Sequence, residues 1–129
     1  MIYIARCCCQ ACELQAEGEP VLNALCSCDS CKRRTGSAFG WSAYFADADV
    51  TAIRGEFARY HVASTDADRF FCAACGTTLY WRSAGFMPGH TGVAGGCFAA
   101  TPLPDPAISA NDAQRCAWVG LPESWMRAP

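Results

Sequence analysis

Residues 72–76 read Cys-Ala-Ala-Cys-Gly, a turn in which two thiols stand three positions apart and a glycine follows the second one. Glycine at that position lets the chain reverse with positive φ just after the second thiol. The spacing is typical of a zinc knuckle, in which both sulfurs converge on one ion at about 2.3 Å each. One knuckle supplies half of a tetrahedral site, so thiols that are distant in the sequence must complete it. The motif therefore predicts that a segment distant in the sequence folds against this turn and supplies the remaining thiols.

Two further cysteine clusters lie upstream of this knuckle, Cys7 with Cys9, and Cys26 with Cys28 and Cys31. Seven of the eleven cysteines thus fall into three tight groups. Disulfides rarely join such close neighbours, and an odd number of cysteines fits a fully bridged secreted module poorly. We therefore expect these groups to bind zinc rather than to form a disulfide framework.

The composition favours a single small domain over residues 1–129. Hydrophobic residues make up 52% of the chain, charged residues 17%, and the formal net charge is −2, so neither a disordered tail nor a nucleic-acid-binding protein is expected. The one basic run, residues 32–34, is interpreted as a solvated helix face that could at most contact a carboxylate. Residues 1–5 are too short an apolar run for a signal peptide or a membrane span, so we expect a cytoplasmic protein with no membrane partner.

Alternation of apolar and polar residues predicts a mainly β fold. Strands are expected at residues 12–17, 38–46, 50–54, 57–62, 69–72, 77–81, 93–99 and 115–119. The strands at 38–46, 50–54 and 57–62 are interpreted as a meander, and those at 69–72 and 77–81 as the two arms of a zinc-ribbon hairpin with the knuckle at its tip. Only residues 29–34 are predicted to turn helically, because Asp29 is favourable near a helix N-terminus. Prolines at 102, 104 and 106 exclude regular structure around them.

The order of motifs resembles the glutathione-dependent formaldehyde-activating enzyme family, whose domain also occurs in centromere protein V. The family pattern is CxC, then CxCxxC followed by basic residues and a glycine, then an aromatic residue followed by CxxCG. This chain has the three motifs at residues 7–9, 26–36 and 71–76. The resemblance covers most of the chain and implies a zinc-stapled β-tent of folded-over antiparallel sheets with zinc-ribbon-like knuckles and two zinc positions.

The resemblance also implies which cysteines serve which position. A structural zinc would be held by Cys7, Cys9, Cys72 and Cys75, and a second zinc, the candidate for catalysis, by Cys26, Cys28 and Cys31. Four thiolates close a tetrahedron, whereas three leave one position open for water or a substrate sulfur. The activity implied is that of a carbon–sulfur lyase (S-hydroxymethylglutathione synthase type), with glutathione as cosubstrate and a small thiol and a small carbonyl compound as partners.

The chain departs from the family pattern at two places. Gln10 follows the first CxC where the family usually has glycine, and residues 96–99 read Gly-Cys-Phe-Ala where an aspartate often ends the corresponding segment. A non-enzymatic zinc-stabilised binding module therefore remains the alternative to an enzyme. A redox protein that uses its free cysteines is a third interpretation.

The remaining candidate residues are given structural interpretations. The cysteines outside the motifs, Cys8, Cys12, Cys97 and Cys116, are expected to be small buried hydrophobes, although Cys97 and also His90 could reach an open zinc position. Aromatic residues at alternating positions are expected in the core rather than in a pocket; they are Phe39, Trp41, Tyr44, Phe45, Tyr80 and Trp81. No general base is assigned, since nothing in the spacing fixes Tyr60, His61 or Asp66 near either metal position.

Overall fold

A computed structural model describes residues 1–129, which form two β-sheets and one short α-helix. The helix α1 spans Asp29–Thr35. The strands are β1 (Ile2–Arg6), β2 (Glu13–Glu17), β3 (Leu22–Cys26), β4 (Gly40–Ala46), β5 (Val50–Arg54), β6 (Phe57–Val62), β7 (Ala67–Cys72), β8 (Thr78–Ser83), β9 (His90–Ala94), β10 (Ile108–Ala110) and β11 (Met126–Arg127). The predicted mainly β class is confirmed.

The two sheets differ in size and in how their strands connect. The smaller one has three antiparallel strands in the order β1-β2-β5, and the larger one has eight in the order β11-β10-β3-β4-β9-β8-β7-β6. All neighbours in the larger sheet are antiparallel except β10, which runs parallel to both β3 and β11. None of the helices has the length and apolarity needed to span a membrane.

The hairpin around the CxxC turn forms as the sequence predicts. β7 and β8 pair in antiparallel register on either side of the turn, with Phe71 opposite Thr78. The Cys72 N–H donates to the Thr77 carbonyl at 2.9 Å, and Gly76 has a φ of 84°, which is the left-handed conformation that favours glycine. The helical turn predicted at residues 29–34 is also confirmed, as α1.

Three predictions about strands are wrong or incomplete. The predicted meander does not exist, because β5 pairs with β2 in the smaller sheet while β4 and β6 belong to the larger one. The predicted strand at 115–119 is a turn, in which the Arg115 guanidinium bonds to Asp112 and to the Val119 carbonyl. The strand predicted at 93–99 starts earlier, at His90, and ends at Ala94, where a 3-10 turn begins.

The core lies between the two sheets. Leu14 from the smaller sheet, Phe45 from the larger sheet and Phe98 from the segment after β9 are all fully buried. The ring of Phe98 contacts Tyr3 at a centroid distance of 6.2 Å and Phe45 at 6.0 Å, so it joins side chains of both sheets. Burial of each such side chain stabilises the fold by about 1.5–3 kcal/mol.

Candidate metal centres

The first cysteine cluster joins the two sheets. Cys7 follows β1 of the smaller sheet, whereas Cys72 ends β7 of the larger one. The sulfurs of Cys7, Cys9, Cys72 and Cys75 all lie within 4.8 Å of one another. The Cys9 sulfur is 3.6 Å from that of Cys7 and 3.7 Å from that of Cys72. A tetrahedral zinc with four thiolates requires sulfur–sulfur distances of about 3.8 Å, so this arrangement fits the ion.

Backbone donors stabilise ionised sulfur at this cluster. The Cys12 N–H donates to the Cys7 sulfur at 3.2 Å, and the Cys75 N–H donates to the Cys72 sulfur at 3.4 Å. The backbone N–H groups of Cys75 and Ala74 lower the pKa of Cys72, and the Thr77 hydroxyl is the main cause that lowers the pKa of Cys75 to about 5. Ionised thiolates are the form that binds metal.

Cys12 lies next to the same cluster but is a poor ligand. It is fully buried, and its thiol donates to the Glu56 carbonyl at 3.3 Å. Burial is the main cause that raises the pKa of Cys12 to about 12, so the thiol stays protonated. The interpretation of Cys12 as a small buried hydrophobe therefore agrees with its surroundings.

The second cluster is built at the junction of β3 and α1. Cys26 ends the strand, Cys28 is the N-cap of the helix, and Cys31 lies in the first helical turn. Their three sulfurs lie within 4.8 Å of one another. The Cys31 N–H donates to the Cys28 sulfur at 3.3 Å, and the Asn111 side-chain amide donates to the Cys26 sulfur at 3.2 Å.

The three thiols of the second cluster cannot all ionise on their own. A hydrogen bond from the Cys31 thiol is the main cause that lowers the pKa of Cys26 to about 5, and the same bond raises the pKa of Cys31. Like charges so close together disfavour a second and a third thiolate. A divalent cation would remove this conflict, so the donor set fits a soft, thiolate-binding metal such as zinc.

A cavity of about 280 Å³ opens beside this second cluster, and Cys26 and Cys28 form part of its wall. Three aromatic side chains also line it, namely Tyr44, Trp81 and Phe86. The Trp81 indole N–H donates to the Tyr44 hydroxyl oxygen at 3.0 Å. Burial raises the pKa of Tyr44, so its hydroxyl stays protonated and can donate a hydrogen bond.

The aromatic residues that were all expected in the core lie partly in the core and partly in the cavity wall. Phe45 and Tyr80 are core residues as predicted. Trp81 is buried as predicted but also lines the cavity, and Tyr44 is a half-buried residue of the cavity wall, so the core interpretation is incomplete for these two. Alternation along a strand shows that a side chain is on the inner face, but it cannot distinguish a filled core from a cavity.

Two polar residues of the site have no sequence motif. Arg69 is 8% exposed and lines the cavity. Its guanidinium donates to the Ser30 hydroxyl at 2.8 Å and to the Tyr60 hydroxyl at 3.3 Å, and neither of these partners lines the cavity. Asn111 reaches Cys26 from 85 positions away in the sequence. Only the pairing of β10 with β3 brings Asn111 to the second cluster, so no local signal could have identified it.

The other candidate residues lie away from this cavity. Cys97 lines a separate cavity of about 340 Å³ beside Cys7 and Cys8, and the His90 ring is bonded to the Pro88 carbonyl at 3.2 Å. His61 bonds to Asp66 and Asp68 near the edge of the larger sheet. No histidine, aspartate or glutamate lines the cavity at the second cluster. Neither Cys97 nor His90 lines the cavity at the second cluster.

The fold and the site define a small β protein with a zinc-ribbon hairpin and two cysteine clusters. Comparison with protein families gives a match to the model of the glutathione-dependent formaldehyde-activating enzymes over residues 2–113. The chain belongs to this family.

Two individual proteins are similar to this chain. An uncharacterized lyase of Schizosaccharomyces pombe is 32% identical over 79 residues, which are 61% of this chain, and the match spans 56% of the length of that relative. A crystal structure of a Rhodobacter sphaeroides protein, a Northeast Structural Genomics target, has a TM-score of 0.59 at 23% identity and covers 73% of this chain and 85% of the other. At that identity the second likeness concerns the fold alone.

Proposed function

We propose that this protein is a zinc-dependent enzyme of the carbon–sulfur lyase type, which adds a thiol to a small carbonyl compound or releases it again. One observation carries the proposal: the sulfurs of Cys26, Cys28 and Cys31 lie within 4.8 Å of one another, and Cys26 and Cys28 line a cavity large enough for small reactants. Family membership and the lyase name of the yeast relative support the same reaction class. In this proposal the other cluster, Cys7, Cys9, Cys72 and Cys75, holds a zinc that is purely structural.

Zinc held by three thiolates would supply one open coordination position at which a cosubstrate thiol loses its proton and binds as thiolate. Around that position the protein orients the ligands. Asn111 holds Cys26 through its amide, and the first turn of α1 holds Cys28 through the Cys31 N–H. These contacts fix two of the three sulfurs before any substrate arrives.

The Tyr44 hydroxyl is the proposed donor to the carbonyl oxygen of the substrate. Its oxygen accepts from Trp81, which leaves its own proton free to point into the cavity. As the carbon–sulfur bond forms, the carbonyl π bond breaks and negative charge develops on oxygen, where a hydrogen-bond donor is most effective. The proton lost by the thiol ends on that oxygen, so the reaction consumes no oxidant or reductant.

Incubation of the zinc-loaded protein with glutathione and formaldehyde, followed by NMR detection of the adduct, tests this proposal. We expect the wild-type protein to accelerate adduct formation and Cys28→Ser to abolish the acceleration. Tyr44→Phe should lower the rate by about tenfold or more, because one donor to the developing oxyanion is lost. Tyr3→Phe is the matched control, since its hydroxyl bonds to Glu19 in the region of the smaller sheet. A wild-type rate equal to the uncatalysed background would remove the assignment.

The alternative is a zinc-stabilised binding module without activity. The zinc content of the protein distinguishes the enzyme from the binding module. Two zinc ions per chain, one of them readily removed by a mild chelator, support the enzyme. One tightly held ion and no catalysis support the module.

A further inference from the structure

Arg34 lies in an unusual position for a charged residue. It is in the last turn of α1, three positions after Cys31, and its guanidinium carbon stands 4.2 Å from the centre of the Trp81 ring. Two of its nitrogens, Nε and Nη2, are buried and have no hydrogen-bond partner in the protein. Leaving such donors unpaired away from water costs free energy, so a buried guanidinium in this state requires an explanation.

The surrounding backbone leaves room for the guanidinium beside the second cluster. Gly40 lies opposite Cys26 in the pairing of β4 with β3. A Cβ atom at Gly40 would lie 2.4 Å from the Arg34 Nη2 and 3.2 Å from the Cys31 Cβ. The guanidinium and the Cys31 side chain therefore occupy the same small space, and a side chain at residue 40 would displace one of them.

No carboxylate pairs with Arg34. Burial is the main cause that lowers the pKa of Arg34, and the neighbouring Cys31 sulfur partly offsets this effect. The other charged group nearby is Arg69, which has the same sign and cannot serve as a counter-ion. The sulfur atoms near this cation include those of Cys31 and Cys97, and of these two only Cys31 belongs to a cysteine cluster that could hold a metal.

We propose that Arg34 is a positioning residue for the second cluster, whose unpaired Nε and Nη2 groups donate to thiolate sulfur when the cluster holds its metal. This inference rests on the proposed metal position at Cys26, Cys28 and Cys31. Three thiolates around a divalent ion carry one net negative charge, which the guanidinium balances. Hydrogen bonds to thiolate also make sulfur a weaker electron donor toward the metal.

The experiment compares zinc affinity at the two clusters of the full chain by competition with a chelator. Arg34→Met keeps an extended side chain over Trp81 but removes the charge and the donors. We expect it to weaken zinc binding at the second cluster by about tenfold or more, since hydrogen bonds to charged groups are among the stronger ones. The zinc affinity of Arg34→Lys at the second cluster should lie between those of the wild type and Arg34→Met, because an ammonium keeps the charge but lacks the planar fork of the guanidinium. The first cluster should be unchanged in each variant.

Arg33→Met is the matched control, because Arg33 is the exposed neighbour on the same helix. Cobalt substituted for zinc supplies an independent readout. Loss of N–H donors to sulfur should shift the sulfur-to-cobalt charge-transfer band to lower energy in Arg34→Met and not in Arg33→Met. Should Arg34→Met fail to fold, Gly40→Ala displaces the guanidinium while keeping its charge, and it should weaken the second cluster in the same way.

Wild-type zinc affinity and an unshifted cobalt band in Arg34→Met would overturn the inference and leave the proposed function intact. Equal weakening at both clusters would overturn it as well, since that result indicates a general effect on the fold. A wild-type protein that binds no second metal would contradict this inference and the proposed function together.

Discussion

Gln10 has a φ of 64° in the loop between β1 and β2, a backbone conformation that glycine adopts without strain. Its N–H donates to the Cys7 carbonyl at 3.0 Å, so the turn closes directly around the first cluster. A glycine after the CxC motif, as in the family pattern that the sequence resembles, would adopt this conformation without strain. This chain keeps the turn and accepts the strain of a side chain.

We expect Gln10→Gly to stabilise the protein by about 0.5–1 kcal/mol, because relief of left-handed strain exceeds the entropy that glycine adds to the unfolded chain. Thermal unfolding of the zinc-loaded protein measures this. Gln15→Gly, the same change inside β2, should destabilise it. Destabilisation in both variants would contradict the explanation.

The hydrogen bond of Tyr3 makes the stability of the folded protein depend on pH. Its hydroxyl donates to Glu19 at 2.8 Å, and this hydrogen bond raises the pKa of Tyr3 above the usual 10.0. A raised pKa in the folded state gives stability that is complete below the unfolded value and lost as pH rises through the folded value. Unfolding midpoints measured across alkaline pH should therefore fall more steeply in the wild type than in Tyr3→Phe. Parallel curves would show that the Glu19 contact adds nothing.

At the scale of elements, the hairpin of β7 and β8 also contacts the loop after β1. The Thr77 hydroxyl accepts from the Cys8 N–H at 3.1 Å and lies 3.2 Å from the Cys75 sulfur. One side chain thus joins the knuckle to the CxC turn that completes the first cluster.

Thr77→Val should destabilise the protein by about 1 kcal/mol, because the acceptor for Cys8 is lost. It should also speed zinc release from the first cluster, as measured by a chelator. Thr78→Val, the neighbouring change within β8, is the control, and identical release rates in the two variants would exclude this role of Thr77.

The sequence predicts β2 and β4 to β9 at least in part, but it misses β1, β3, β10 and β11 and most of the strand pairing. Cysteine spacing identifies the knuckle and the triplet because neighbouring ligands depend only on local backbone geometry. The pairing of β5 with β2 and of β10 with β3 depends on contacts between distant segments, and alternation within a strand carries no information about its neighbour. For the same reason Asn111 and Arg69 could not be placed at the second cluster in advance.

In the whole molecule, the two cysteine clusters connect different parts of the chain. The first joins the smaller sheet to the larger one, whereas the second joins only β3 to the helix that follows it. A metal that links distant segments contributes directly to folding free energy, since the site does not exist in the unfolded chain.

We therefore expect Cys72→Ser to lose most of the folding free energy and Cys28→Ser to lose only about 1–2 kcal/mol. Circular dichroism during thermal unfolding, together with the zinc content of each variant, measures both effects. Cys28→Ser should retain one ion and a folded domain. If Cys28→Ser unfolds the chain, the division into a structural and a reactive position is wrong.

Each of the two cysteine clusters is proposed to hold a metal ion. Diffraction data collected on both sides of the zinc absorption edge, from crystals of the zinc-loaded protein, test this proposal most directly. Two anomalous peaks are expected, one among Cys7, Cys9, Cys72 and Cys75 and the other beside Cys26, Cys28 and Cys31. Cysteines oxidised to disulfides with no peak between them would contradict it.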